Sequence, residues 1–154
     1  MQRVLLAASL LALSACVSLP KPLQGSFLAI SPAEAGKLPA QGQPVRWGGR
    51  IVAVDNYADR SCFKILSIRL DSNGRPQDED HSDGRFIACR SGFYDPAVFK
   101  AEREVTITGR IEAIELGRIG ELEYPYPRLT ADVVYLWPER REVDVIVESH
   151  PFWW

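Results

Sequence analysis

Two histidines, three cysteines and one dense run of acids hold most of the reactive chemistry available to this chain of 154 residues. The acids lie in "DSNGRPQDEDHSDGR", where Asp78, Glu79, Asp80, His81 and Asp83 gather oxygen donors around one imidazole. Hard oxygen ligands suit calcium, but the spacing departs from the EF-hand loop, and a solvated hairpin tip accounts for the same residues. No metal is therefore expected. The other histidine, His150, precedes Pro151-Phe152-Trp153-Trp154, and nothing around either histidine resembles a nucleophile elbow or a triad context. Gly117-Arg118-Ile119-Gly120 has too few glycines, and no attendant lysine, to cradle a phosphate. No catalytic residue is assigned.

The cysteine with the most telling surroundings is Cys16. Met1-Gln2-Arg3 supplies a small positive start, Val4 to Leu13 an apolar run, and small residues follow. A helix crossing a bilayer needs about 20 apolar residues. This run is about half that, the length of a cleaved export signal covering residues 1–15. Leu13-Ser14-Ala15-Cys16 resembles the bacterial lipobox, whose cysteine becomes the new N-terminus. That resemblance implies a thioether-linked diacylglycerol on Cys16 and an acyl chain on its amine, and no other cofactor. At roughly 0.8 kcal/mol per buried methylene, one chain binds reversibly and two or three hold firmly. The plainer reading is a secretory signal with an incidental cysteine. Val17 stands where an aspartate would resemble an inner-membrane retention signal, so the expected address is the outer membrane, lipid-anchored and facing the periplasm.

Cys62 and Cys89 remain, in an oxidising compartment. Both fall in strand-like runs, "SCFKILSIRL" and "RFIACRS", joined by a turn-rich loop. Antiparallel neighbours would bring their Cα atoms to the roughly 5.5 Å that a disulfide wants. The alternative is two buried thiols acting as small hydrophobes. Without a Cys-x-x-Cys or a nearby base, neither reads as a catalytic thiol.

The elements that would position these residues are mostly strands. Eleven prolines, eleven glycines and many valines and isoleucines favour strands and turns over helices. Residues 16–44 read as a flexible lipidated tether, with Pro20 and Pro22 stiffening its first part. Ser31-Pro32-Ala33-Glu34 has the form of a capped helix start, closed by Gly36. A β-domain then occupies 45–138, followed by a C-terminal extension, 139–154. Strands are expected at 45–56, 62–70, 85–91, 104–116 and 128–138; the fourth alternates clearly at Val105, Ile107, Gly109 and Ile111. Gly48-Gly49 suits a bulge or bend. A helical turn at 94–102, capped by Asp95, would stand between strands three and four. This order is mainly β: a small five-stranded OB-like barrel with one short helix between strands three and four. A β-sandwich is the alternative.

In such a barrel, 115–128 joins strands four and five, a loop that OB domains use for ligands. Arg118 offers a bidentate donor there, and Tyr124 and Tyr126 offer aromatic faces for a sugar ring or protein partner. The competing reading has Gly117 and Gly120 shaping a hairpin while the tyrosines cover the barrel end.

"VRWGG", "LDSNGRP", "GRFIA", "GFYDPAVF", "VTITGRI", "GRIGELEYPYP" and "YLWP", in that order, resemble the starvation-inducible outer-membrane lipoprotein family, Slp. The likeness runs from the lipobox through about Pro138. It implies an envelope lipoprotein with no established enzymatic activity and transfers one defined role, lipidation of Cys16. The Cys62/Cys89 pair is not part of the family pattern as we recognise it.

The net charge is −2. Loss of residues 1–15 removes Arg3, leaving 17 basic against 20 acidic residues and a charge of −3. That balance, with the compartment, disfavours nucleic acid. The expected function is a non-enzymatic outer-membrane lipoprotein, stress- or starvation-related. Its partners are outer-membrane lipid through the acylated cysteine, and an envelope protein, glycan or lipid. The rivals are an envelope hydrolase using the acidic loop or the Arg118 region, and a purely structural tether.

Overall fold

Apolar residues alternating with polar ones give each strand an inner and an outer face, and the inner faces here close around one another. The computed structural model describes residues 18–140; the signal segment, Cys16, His150 and the rest of the chain after Arg140 lie outside the described residues. The strands are β1 (Pro44–Asn56), β2 (Arg60–Ser67), β3 (Arg85–Ser91), β4 (Glu104–Ile119) and β5 (Leu122–Leu136). They form a closed barrel in the order β1-β2-β3-β5-β4. All neighbours are antiparallel except β3 and β5, which run parallel and pair only over Ile87–Cys89 with Arg128–Thr130. Closure gives every strand a neighbour on each side, although β5 meets β3 over only three residues.

Inside lie Val45, Trp47 and Ile51 of β1, Phe63 and Ile65 of β2, Phe86 and Ala88 of β3, Val105, Ile107 and Ile111 of β4, and Leu129 and Ala131 of β5. The alternation expected for β4 is thus the alternation that fills the barrel. The register slips between Ile51 and Ala53 on β1 and between Ile111 and Ala113 on β4. Such bulges bend long strands enough for a five-stranded wall to close. Gly49 serves a different purpose from the expected bend. A side chain there would collide with the Leu66 carbonyl oxygen of β2, so only hydrogen lets the two strands pair at this register.

The α-helix among the described residues, α1 (Pro32–Ala35), precedes the barrel. It carries the expected capping box: Glu34 N–H donates to Ser31 Oγ (3.2 Å), and Ser31 N–H donates to the Glu34 carboxylate (2.7 Å). Between β3 and β4 the chain makes a single turn rather than a regular helix. Val98 and Phe99 N–H both donate to Asp95 C=O, and Ala97 N–H donates to the Asp95 carboxylate. The cap is as anticipated, but Tyr94 and Phe99 must both meet Phe63, with ring centroids 5.2 and 5.6 Å away. Glu102 then turns the chain with φ at 69°. That packing leaves no room for a second turn.

Residues 18–43 lie along the barrel instead of hanging free. A 3-10 turn, η1 (Lys21–Leu23), buries Leu23 completely. Arg46 donates to Leu23 C=O (2.9 Å), Leu28 N–H to Pro44 C=O (2.8 Å), and Trp47 Nε1–H to Ile30 C=O (2.7 Å). The stretch expected as a flexible tether is a strap from residue 18 onward, because Leu23 and Ile30 find apolar barrel surface to cover.

Candidate functional site

Three parts of the surface gather residues of functional type. The first lies outside β4. Thr106 points outward, opposite in the pleat to Val105 and Ile107, yet is fully buried. Its hydroxyl donates to Gly74 C=O (2.6 Å) and accepts from Trp137 Nε1–H (2.9 Å). Arg75 stacks over the Trp137 ring at 5.6 Å and donates to Glu104 (2.7 Å) and Pro138 C=O (2.6 Å). Arg140 reaches the same carboxylate from the other side (2.9 Å) and also donates to Pro76 C=O (2.7 Å). One nearly buried carboxylate thus sits between two guanidiniums, so these three side chains carry one cation more than anions. Leu19 and Leu23 pack against Gly74, where a side chain would displace Leu19. Three stretches quoted above, "LDSNGRP", "VTITGRI" and "YLWP", therefore meet here in one buckle that holds the strap to the barrel.

The second part is the β4–β5 hairpin. Its strands pair to Ile119 opposite Leu122, leaving Gly120-Glu121 as the turn, so 115–128 is mostly paired strand rather than the expected loop. Pro125 and Pro127 do not interrupt it. They precede Arg128, where β5 has no strand on its other side and a missing N–H disturbs no ladder. Directly paired residues share a face, which separates the expected contact residues. Arg118 shares its face with Glu123, Leu116, Pro125 and Ile114, while Tyr124 and Tyr126 share the other with Gly117 and Glu115.

The tyrosine face is occupied. Cys62 and Cys89 are direct partners in the β2–β3 register and form a disulfide, their Cα atoms 4.1 Å apart. They point outward, and Tyr126, 5% exposed, packs with Cys62 and Ile87 against them. Tyr124 stands edge-on to Tyr126 at 5.0 Å, and its hydroxyl accepts from Arg85 N–H (3.0 Å). Arg118's face is open, with Ile114 41% and Leu116 75% exposed, and Leu122 at the tip is 64% exposed. Those apolar residues were missed from the sequence. Their signal was the spacing itself: the bulge between Ile111 and Ala113 adds one residue, so Ile114 and Leu116 continue the face of Ile111 beyond the end of the barrel, where nothing covers them.

The third part is the acidic loop, which lies open. Asp78 accepts from Arg50 (3.1 Å) and His81 Nε2 stands 3.3 Å from Asp83 Oδ1, with the Asp78 and His81 side chains 70% and 64% exposed. Among the described residues no three acid, histidine or cysteine side chains converge on a point where a cation would sit. The cleft beside the disulfide, lined by Asp59, Arg60, Arg90, Glu112, Arg128 and Asp132, balances three cations against three anions. Arg128 there already bridges Glu112 (3.3 Å) and Glu115 (3.1 Å). A displaced carboxyl lies elsewhere: Glu34 is held below its usual range by hydrogen bonds from the Ser31 N–H and hydroxyl.

These features define a small closed β-barrel, buckled to its own N-terminal strap and carrying one projecting hairpin. The chain belongs to the outer membrane lipoprotein Slp family, whose model matches residues 13–154. It is 30% identical over 140 residues to outer membrane protein Slp of Escherichia coli (strain K12), spanning 86% of this chain and 72% of that protein. The uncharacterized lipoprotein YeaY of the same strain is 34% identical over 120 residues, 75% of this chain and 62% of its own length. An uncharacterized protein of Haemophilus influenzae is 34% identical over 132 residues, 81% of this chain and 70% of its own length.

Proposed function

We propose that this protein is a non-enzymatic lipoprotein held to the periplasmic side of the outer membrane by a diacylglycerol and an N-acyl chain on Cys16. Its barrel serves as a docking module for an envelope protein, in a stress- or starvation-related setting. The observation that carries this reading is the coincidence of two boundaries. The family match opens at Leu13, the first residue of Leu13-Ser14-Ala15-Cys16, so the acylation motif falls within the shared region.

The contact surface of this reading is narrower than the three residues first assembled. Arg118, with Leu116 and Ile114 beside it, offers a cation and apolar area to a partner. Tyr124 and Tyr126 turn their rings toward the disulfide, which favours a protein over a glycan that would need those faces for stacking. In the acidic loop Asp78 is paired with Arg50 of β1 and His81 with Asp83, and the Asp78 and His81 side chains stand open to solvent rather than in a cleft, which argues for binding over hydrolysis.

Labelling cells with a radioactive fatty acid and comparing the natural chain with Cys16→Ser tests the attachment. Label and membrane fractionation are both expected to be lost in the variant. A labelled Cys16→Ser protein, or an unlabelled natural one, refutes it. Crosslinking from position 118 in intact cells tests the docking face, and Leu116→Ser is expected to weaken any adduct formed.

A further inference from the structure

The geometry points to one defined orientation of the barrel on the bilayer: the buckle side of β4 rests on the lipid headgroups, and the β2–β3 wall with its disulfide faces away. This rests on acylation at Cys16. Only Val17 and Ser18 separate Cys16 from Leu19. Even fully extended, the acylated residue stands within about 11 Å of Leu19. Leu19 is itself fixed to the barrel. It packs on Gly74, its carbonyl accepts from the Gln24 side chain (2.9 Å), and Leu23 N–H closes the turn back to Pro20 (2.9 Å). A flexible tether of the length first expected would span roughly 28 Å and let the domain tumble. With two residues of slack, the side carrying Leu19 has to lie against the membrane to which the sulfur is joined.

That side suits a surface of lipid phosphates. Lys21 is exposed at its edge, and the Arg140 side chain is 42% exposed. Glu104 is shared by Arg75 and Arg140, so the cluster keeps a positive excess where phosphate would approach. Trp137 lies beneath Arg75, and Arg140 donates to Pro76 C=O on this same side. In the closed order of strands, β2 and β3 are the two that do not touch β4, which puts Lys64 on the wall across the barrel from the buckle.

The experiment uses the full acylated protein in vesicles of phosphatidylethanolamine and phosphatidylglycerol that contain a nitroxide-headgroup lipid. An environment-sensitive fluorescent amino acid replaces Lys21 in one sample and Lys64 in another. Emission is expected to be quenched several-fold more at position 21 than at 64. A Gly-Ser insert of about 20 residues between Val17 and Ser18 is expected to abolish that difference while vesicle attachment persists. Equal quenching in a protein whose intact mass shows acylated Cys16, or stronger quenching at 64, overturns the orientation alone. A bare thiol at Cys16 overturns it together with the reading it rests on.

Discussion

Replacing Thr106 by valine tests the buckle, because it removes a hydroxyl while keeping the shape. The hydroxyl serves two buried partners, Gly74 C=O at 2.6 Å and Trp137 Nε1–H at 2.9 Å. Leaving two buried groups unpaired costs about 2–6 kcal/mol together. The added methyl, fully buried, offsets roughly 1 kcal/mol of that. The net loss is then about 3 kcal/mol. With an m-value of about 1.5 kcal/mol/M, the urea midpoint falls by about 2 M. Far-ultraviolet circular dichroism of residues 16–154 produced with Cys16→Ser reads this without relying on tryptophan emission. Trp137→Phe provides the control: once the valine is present, the indole N–H penalty has already been incurred, so the two changes together cost at least about 1 kcal/mol less than their sum. A Thr106→Val loss below about 1 kcal/mol, or strict additivity with Trp137→Phe, refutes the idea that this hydroxyl ties the 71–76 turn and the strap to the barrel.

Breaking the Cys62–Cys89 bridge with paired serines frees a loop of 27 residues' separation and is expected to cost about 3.5 kcal/mol, read from urea melts with and without reductant. Gly49→Ala drives a methyl into the Leu66 carbonyl, a backbone atom that cannot step aside, and is expected to cost more than about 4 kcal/mol or prevent folding, seen as loss of soluble protein. Because the Glu34 carboxyl is lowered from 4.5 in the folded state, its contribution is present above that pH and fades as pH falls through and below it. Glu34→Gln is therefore less stable than the natural chain at neutral pH, and the two thermal midpoints converge in acid. Leu116→Ser with Leu122→Ser leaves stability within about 0.5 kcal/mol, since both side chains are exposed, while weakening any crosslink formed from position 118 under the proposed docking.

Where local pattern and tertiary demand agreed, the fold was legible. Val105, Ile107 and Ile111 announced an inner face, Ser31 to Glu34 a capping box, and Cys62 and Cys89 a cross-strand pair whose register alone was unreadable. The rest depended on partners distant in the chain. Pro125 and Pro127 belong to a residue type that ordinarily breaks a strand, and only the absence of a neighbouring strand before Arg128 makes them harmless. Asp95-Pro96 promised a helix, but Phe63 drew Tyr94 and Phe99 into one turn. Pro20 and Pro22 made the first part of residues 16–44 resemble a tether, whereas Leu23 is held by Arg46, twenty-three positions on. Of the contact residues, Arg118 and the tyrosines looked adjacent in sequence; the pleat set them on opposite faces. The buckle was invisible as a site because its parts come from three stretches, each unremarkable alone.

The three-residue parallel seam between β3 and β5 makes the barrel wall uneven in strength, for β4 holds β5 along nearly its whole length while β3 barely grips it. Thermal breathing will begin there, with the β5 amides that face β3 trading hydrogen for deuterium before those inside β4. The disulfide rivets β3 to β2, so the crack opens like a door hinged on that rivet and bares two raw strand edges. A bared edge of that kind is a template for a strand from another chain.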